Sequence, residues 1–255
     1  AHVLQAARHG HKLRTGHLRG NRFAITLHGV GADDARTARE RLERLARGGL
    51  PNRFGAQRFG REGDNAERGR RLLRGELRLR DRREARFLLS ALQAAVFNEA
   101  LRLRPLPLDR VEAGDVAVVH ASGGLFAVED AGRETPRAAA FEISATGPLF
   151  GTRSGRRDPA PSGAPAAREA EAMARSGVDP AAPLVLPRGI RLPGGRRPLR
   201  VRPDETSLSY EADRLCVRFA LRAASSSSPP WPAPAPGEAE APAAGGEGGL
   251  PEGAN

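Results

Sequence analysis

The chain has 255 residues, a formal net charge of +11, 39% hydrophobic and only 4% aromatic residues, and one cysteine, Cys216. This length suffices for one large or two ordinary domains. The single cysteine excludes a disulfide framework and a multi-cysteine metal site, so we expect a protein of the reducing cytoplasm. No apolar run approaches the roughly 20 residues that a membrane span needs, and we expect no membrane partner.

The positive charge indicates a polyanionic partner, because each neutralised phosphate releases counterions. A second explanation stays open. Lys12 is the only lysine, so nearly all of the positive charge is arginine, a usage typical of GC-rich coding.

The N-terminal segment 1–20 is rich in histidine and basic residues. Its members are His9, His11, Lys12, Arg14, His17 and Arg19. No acidic or cysteine ligand accompanies the histidines, and the cations between them would repel a metal, so metal binding is disfavoured. We interpret the segment as a phosphate-facing arm.

The residues after the arm have the period-2 pattern of a half-buried strand, with Phe23, Ile25 and Leu27 on one face. Asn21 and Phe23 lie at the loop-to-strand junction, where a strand can direct side chains at a ligand. A core position for Phe23 is an equally weighted alternative.

Next, Asp33 and Asp34 are expected to cap a helix that ends at Gly48-Gly49. The segment Pro51-Asn52-Arg53-Phe54-Gly55-Ala56-Gln57-Arg58-Phe59-Gly60 follows. Its two Phe-Gly pairs put scarce aromatic rings beside guanidinium groups, which on the residues alone favours a nucleotide over a core.

The middle of the chain predicts a buried helix over 81–101 and a short antiparallel pair over 116–120 and 125–128. Turn residues predict a loop over 145–151, and a helix is expected over 164–175.

Further on, arginines among prolines and glycines predict a flexible basic connector over 187–203. Two strands are expected over 207–211 and 215–221. The Ser, Pro, Gly, Ala and Glu composition of 223–255 predicts a disordered tail.

Several of these stretches, in this order, resemble the TruD family of tRNA pseudouridine synthases. The matching stretches are the arm from His9 to Phe23, the Phe-Gly segment, Leu89-Ser90-Ala91 with Phe97-Asn98, Thr146-Gly147-Pro148-Leu149-Phe150-Gly151, Arg197-Pro198-Leu199-Arg200-Val201, and Leu208-Ser209-Tyr210 with Arg218-Phe219. Together they extend over residues 3–221.

The resemblance implies an α+β fold, in which an incomplete mixed-sheet pseudouridine synthase core is interrupted by an inserted α/β domain. On that pattern 1–48 and 202–222 belong to the catalytic domain, 49–201 form the insertion, and 223–255 form the tail. The Phe-Gly segment then lies just inside the insertion, where a junction role is favoured over nucleotide binding.

The resemblance also implies the reaction, isomerisation of uridine 13 in certain tRNAs by an aspartate nucleophile, with no cofactor and no metal. By family position Asn21 and Phe23 contact the target nucleotide. Lys12, Arg14 and Arg19 are expected on the RNA backbone, with Arg58 a weaker candidate. We expect a monomer whose partner is tRNA.

The family's catalytic aspartate lies in a Gly-x-Lys-Asp motif that precedes the arm. This motif is absent from the 255 residues, so we expect the nucleophile to lie upstream of Ala1 and assign no catalytic residue within the chain. The aspartate whose neighbours are most similar to this motif is Asp81, which we interpret as an ordinary acidic residue at the start of a helix. We therefore expect a fragment that is inactive alone. The alternative is a natural basic protein that binds RNA without catalysis.

Overall fold

A computed structural model of the protein describes residues 8, 10, 20–152 and 158–222. The described strands are β1 (Gly20–Leu27), β2 (Leu50–Pro51), β3 (Val116–Val119), β4 (Leu125–Ala127), β5 (Ile143–Leu149), β6 (Gly195–Pro198), β7 (Arg200–Val201), β8 (Asp204–Glu211) and β9 (Arg214–Arg222). The described helices are α1 (Ala32–Gly48), α2 (Asn65–Leu73), α3 (Arg82–Leu103), α4 (Ala131–Ala139) and α5 (Gly163–Arg175). The α+β class is confirmed.

The first unit combines residues from both ends of the described chain, and we call it the terminal unit (20–48 and 204–222). Its sheet has the order β1-β9-β8 with antiparallel pairing throughout. The alternation of Phe23, Ile25 and Leu27 is that of β1, and the two strands expected over 207–221 are β8 and β9. The three predicted strands are confirmed, but β1 is exposed along its whole length, so the prediction that it is half-buried is wrong.

Helix α1 packs against β8 but begins earlier than expected. Its N-cap is Gly31, and no side chain caps it. Asp33 and Asp34 lie within the first turn, so the prediction that they cap the helix is wrong. Their carboxylates instead complement the positive helix N-terminus. The predicted end is confirmed, because α1 stops at Gly48 and Gly49 takes a φ of 79°.

The second unit, which we call the central unit, comprises 52–199 and is built around α3. This helix is apolar on most sides, with Leu89, Val96 and Phe97 all fully buried. One side packs with α2 and α5, and another packs on the sheet β4-β3-β5-β6. The predicted buried helix, the β3–β4 pair and α5 are confirmed. Asp81 is the N-cap of α3 and accepts a 2.7 Å hydrogen bond from the Arg83 amide.

The loop expected over 145–151 is wrong for most of its length, because β5 extends to Leu149 and pairs with both β3 and β6. The Thr-Gly-Pro stretch has turn chemistry, but tertiary packing decides its conformation. A Cβ on Gly147 would lie 2.9 Å from Leu199 and 3.1 Å from the Phe97 ring. Glycine therefore serves here for close packing between strand and helix.

The flexible basic connector expected over 187–203 is also wrong in part, because this stretch contains β6 and β7. Arg196 and Arg200 are buried, at 8% and 1% exposure. Burial of arginine is possible because protein oxygens bind each guanidinium. Arg196 bonds Thr146 and Glu169.

The two units meet where the chain enters and leaves the central unit. There β2 and β7 form a two-stranded antiparallel ladder, with Leu50 opposite Val201. In the described ranges no helix has the length and apolar character required to cross a membrane.

Both ends of the sequence lie outside the described residues. At the C-terminal end this applies to 223–255, the predicted disordered tail. At the N-terminal end it applies to Ala1 and to the histidines of the arm. The expectation that the nucleophile lies upstream of Ala1 therefore stays a prediction.

Candidate nucleic-acid interface

Strand β1 presents an aromatic ring and an amide on one face. Phe23 is 39% exposed, and its ring stacks on Phe219 of β9 at a centroid distance of 5.0 Å and an interplanar angle of 23°. Asn21 is exposed and, two residues away on the same strand, lies on the same face. The structure therefore places on one face the two residues that the family resemblance assigns to the target nucleotide.

The rest of this face is apolar and is covered unevenly. Ile25 and Leu27 are 45% and 48% exposed, whereas Leu215, opposite Leu27 on β9, is buried. Helix α1 packs near β8, where the Tyr210 hydroxyl donates to the Val30 carbonyl at 2.9 Å. Phe23 is thus the least exposed of the three apolar side chains that β1 places on this face, and burial on the face is confined to β9 at Leu215.

The opposite face of the sheet is polar and is fixed by a bidentate ion pair across β9. Arg22 donates from Nε and Nη2 to the Glu205 carboxylate at 2.7 and 2.8 Å. This contact raises the pKa of Arg22 and lowers the pKa of Glu205. Glu205 lies at an irregularity of β8 with a φ of 51°. Arg22 therefore points away from the face of Asn21 and Phe23.

The Phe-Gly segment lies along α3. The amide of Phe54 donates to Asn98 Oδ1 at 2.9 Å, and Asn98 Nδ2 donates back to the Phe54 carbonyl at 3.0 Å. The Phe54 ring meets Phe97 edge-on at 5.5 Å, and the Arg197 guanidinium lies 4.3 Å from its centroid. These contacts all lie within the central unit and are those of closely packed side chains, so the junction role of the segment stays a prediction.

Arg58 belongs to this segment and therefore to the central unit. It donates to Ser90 Oγ at 3.4 Å, and its guanidinium lies 5.3 Å from the Phe87 centroid. The structure does not bring Arg58 onto the strand of Asn21 and Phe23. Lys12, Arg14 and Arg19 lie outside the described residues, so the backbone-binding assignments of all four stay predictions.

A polar cluster beside the β2–β7 ladder was not anticipated from the sequence. His120 stacks on Phe141 at 4.4 Å, and its Nε2 is 2.8 Å from Ser144 Oγ. Burial, then the charges of Arg200 and Arg202, lowers the pKa of His120 to about 4. The ring is therefore neutral at pH 7. The one part of this cluster that stands out in the sequence is the Arg-Pro-Leu-Arg motif at 197–200, and its composition predicts a flexible connector instead of a buried site.

A cleft of about 350 Å³ lies between α2, α3 and α5, lined in part by Glu67, Arg70, Glu99 and Arg175. Its charges are of both signs and already pair with one another, since Arg70 bonds Glu67 and Arg175 approaches Glu99 at 3.5 Å. The cleft belongs to the central unit and contains no residue of β1. Within the described ranges no three His, Cys, Asp or Glu residues are grouped as a metal site.

The fold defines an α+β protein in which a helix-rich central unit lies in sequence between strands of a small antiparallel sheet. A family model described as tRNA pseudouridine synthase D (TruD) matches residues 1–80 and 77–225. The chain belongs to the TruD family of tRNA pseudouridine synthases.

Individual relatives agree with this membership. The chain is similar to tRNA pseudouridine synthase D of Geobacter sulfurreducens, 36% identical over 88% of this chain and 69% of the relative. It is also similar to the Thermus thermophilus protein of the same name, 41% identical over 88% of this chain and 60% of the relative.

A solved structure shares the fold. It is the putative tRNA pseudouridine synthase D of Methanosarcina mazei, with a TM-score of 0.61 at 17% identity, over 81% of this chain and 66% of that one. The Geobacter alignment spans 286 positions, more than this whole chain, so that relative carries additional residues inside the matched region. The two ranges matched by the family model meet at 77–80, in the α2–α3 connection.

Proposed function

We propose that this chain forms part of an enzyme that isomerises uridine 13 of tRNA to pseudouridine. Membership of the TruD family supports the reaction. The observation that carries the substrate assignment is the pairing of an exposed aromatic ring, Phe23, with an exposed amide, Asn21, on one strand face. A nucleotide taken out of a folded RNA needs both stacking and hydrogen-bonding partners.

The reaction balances without a redox partner. The bond between N1 of uracil and C1′ of the ribose breaks, the base turns, and C5 forms a new bond to C1′. The hydrogen lost from C5 is replaced by one on N1. We assign 1–48 and 202–222 to the catalytic domain and 49–201 to an inserted domain.

The side chains of this chain would bind and orient the nucleotide. Phe23 stacks on the uracil with its other contact, Phe219, behind it, and Asn21 bonds the polar edge of the nucleotide. Lys12, Arg14 and Arg19 neutralise phosphates beside the strand. Arg58 reaches the RNA from the inserted domain.

The nucleophilic aspartate is not assigned to any residue of these 255, and we place it in a segment that precedes Ala1. The single lysine, Lys12, is followed by Leu13, so the family's Gly-x-Lys-Asp motif does not occur in them. Asp81, whose neighbours are most similar to the motif, caps α3 by accepting a hydrogen bond from the Arg83 amide. The activity is thus proposed for a protein that also contains the motif-bearing segment, acting as a cytoplasmic monomer.

The test uses tRNA transcripts labelled with tritium at C5 of uridine, because formation of pseudouridine releases that tritium. Two proteins are compared: the 255-residue chain, and the same chain preceded by a segment that contains the Gly-x-Lys-Asp motif of the family. A transcript with cytidine at position 13 is the matched control.

We expect the longer protein to release one equivalent of tritium from position 13 and none with the cytidine control. The 255-residue chain should bind tRNA without release. Turnover by the short chain would refute the interpretation that the aspartate precedes Ala1. Binding by both proteins without release by either would favour the non-catalytic RNA-binding alternative, and the absence of binding by both would contradict the proposal.

A further inference from the structure

Arg200 occupies the point where the two units are joined. It is one of the two residues of β7 and pairs with Pro51 of β2. At 1% exposure it is the largest almost fully buried side chain among the described residues. A buried guanidinium requires compensation of its charge and of its five N–H groups.

The acceptors of Arg200 come from both units. Nη1 donates to the Gly48 carbonyl at 3.0 Å, and Gly48 is the last residue of α1. Nη2 donates to the carbonyls of Ala138 and Ile143, the latter at 3.1 Å, and Nε donates to Ser144 Oγ at 2.8 Å. One side chain therefore binds the terminal unit and the central unit at the same time.

Two of these acceptors are helix ends. Gly48 closes α1, and Ala138 lies in the last turn of α4. The last carbonyls of a helix lack partners inside the helix and carry about half a negative charge in total. Two converging helix C-termini therefore offset part of the unit charge of Arg200, and the charge of Asp109 adds to this, while burial still lowers the pKa of Arg200 to about 10. In the described ranges its donors meet no carboxylate, unlike those of Arg104 and Arg196, which pair with Asp115 and Glu169.

The surroundings leave little room for a different arrangement. The Phe141 ring lies 4.4 Å from the Arg200 guanidinium and 4.5 Å from that of Arg202. Phe141 itself is held at a φ of 61°, a conformation that persists only where the surroundings impose it. A Cβ on Gly49 would lie 3.0 Å from the Phe141 ring and from the Val201 carbonyl. We call Arg200 and the residues packed around it (Gly48, Gly49, Phe141 and Val201) the joint. The joint is closely packed against both units.

From this geometry we infer that Arg200 is a positioning residue, which fixes the angle of the terminal unit to the central unit by binding the C-termini of α1 and α4 together. Since α1 packs on the sheet that contains β1, the same contact sets where Asn21 and Phe23 stand relative to the central unit. Only the consequence for catalysis rests on the proposed function. Lysine cannot replace this arginine, because an ammonium is a point charge and lacks the planar fork.

The experiment measures distances between nitroxide labels by pulsed electron–electron double resonance, in a Cys216→Ser background. One pair spans the units, with labels at Arg39→Cys on α1 and Ala174→Cys on α5. The second pair, at Arg133→Cys and Ala174→Cys, lies within the central unit. All three labelled positions are exposed.

Arg200→Lys and Arg200→Met should at least double the width of the spanning distance distribution and leave the internal one unchanged. Arg196→Lys is the matched control, because Arg196 is a buried arginine of the neighbouring strand whose partners Thr146 and Glu169 lie within the central unit. It should leave the spanning distribution unchanged.

The inference is overturned if the spanning distribution keeps its width in both Arg200 variants. It is equally overturned if the internal pair broadens as much, which would make Arg200 a general stabiliser, or if Arg196→Lys has the same effect. The readout needs no RNA. A protein that shows the expected distances yet binds no tRNA would therefore retain the joint and lose the proposed function.

Discussion

Acidification should weaken the joint between the units through His120. Its ring is stacked on Phe141 and lies near two arginines, and burial followed by the charges of Arg200 and Arg202 lowers its pKa from 6.5 to about 4. The unfolded chain therefore takes up this proton near pH 6.5, and the folded protein does so only near pH 4. Stability is complete above pH 6.5 and declines as the pH falls towards 4.

The lowered pKa of His120 can change the free energy of unfolding by at most about 3 kcal/mol, since each pKa unit is worth about 1.4 kcal/mol. His120 is only half-buried, so solvent screening reduces the expected loss to about 1–2 kcal/mol. The variant His120→Gln keeps an amide that can bond Ser144 and removes the titration.

The assay is urea unfolding followed by circular dichroism, at intervals from pH 7.5 to 4. The unfolding free energy of the unmodified protein should fall by about 1–2 kcal/mol more than that of His120→Gln over this range. Above pH 6.5 the unfolding free energies of the two proteins should change with pH in nearly the same way. Parallel curves down to pH 4 would refute the reasoning.

Three further changes test the packing and the charge assignments. Gly147→Ala should lower the free energy of unfolding in urea by about 1–3 kcal/mol, because the methyl group would meet side chains at 2.9 to 3.1 Å. The control Gly195→Ala has open space and should cost less than about 1 kcal/mol, so equal effects of the two changes would contradict this packing. Asp115→Ala should cost about 3–5 kcal/mol, because the buried Arg104 guanidinium then keeps only the Glu112 carboxylate, 3.8 Å away, whereas the exposed Glu171→Ala should cost at most about 1 kcal/mol. A loss below about 1 kcal/mol for Asp115→Ala would count against the buried pair. With four basic phosphate contacts, tRNA affinity should fall on the order of 10²-fold between 50 and 200 mM salt in a filter-binding assay, and a flat dependence would show that those contacts do not form.

Elements with a simple hydrophobic period could be predicted from the sequence. Alternation identified β1 and β9, and the broad apolar face of α3 identified the central helix. The apolar face of α3 is buried as its pattern predicts, whereas β1 forms a strand whose apolar residues remain exposed. The face shared by Asn21 and Phe23 follows from the same period-2 rule and needed no knowledge of the tertiary contacts.

Elements decided by long-range contacts could not be predicted. Strand β5 contains Gly147 and Pro148, which signal a turn locally, yet it pairs with β3 and β6 and packs on Phe97. Arg200 is charged and lies between leucine and valine in a Pro/Arg-rich stretch, so only the converging carbonyls of distant helices explain its burial. Helix α4 has no clear sequence signal because Pro136 lies inside it. For β5 and Arg200 the deciding partner is remote in sequence.

The central claim, that Phe23 stacks on the target base, is tested most directly by comparing Phe23→Ala with Ile25→Ala in tRNA binding and thermal unfolding. Both side chains lie on the same strand face with similar exposure, 39% and 45%. We expect that Phe23→Ala loses about 1–3 kcal/mol of tRNA binding, that Ile25→Ala loses little, and that both unfold at similar temperatures. A Phe23→Ala protein that binds tRNA normally but unfolds at a markedly lower temperature would instead place the ring in the core.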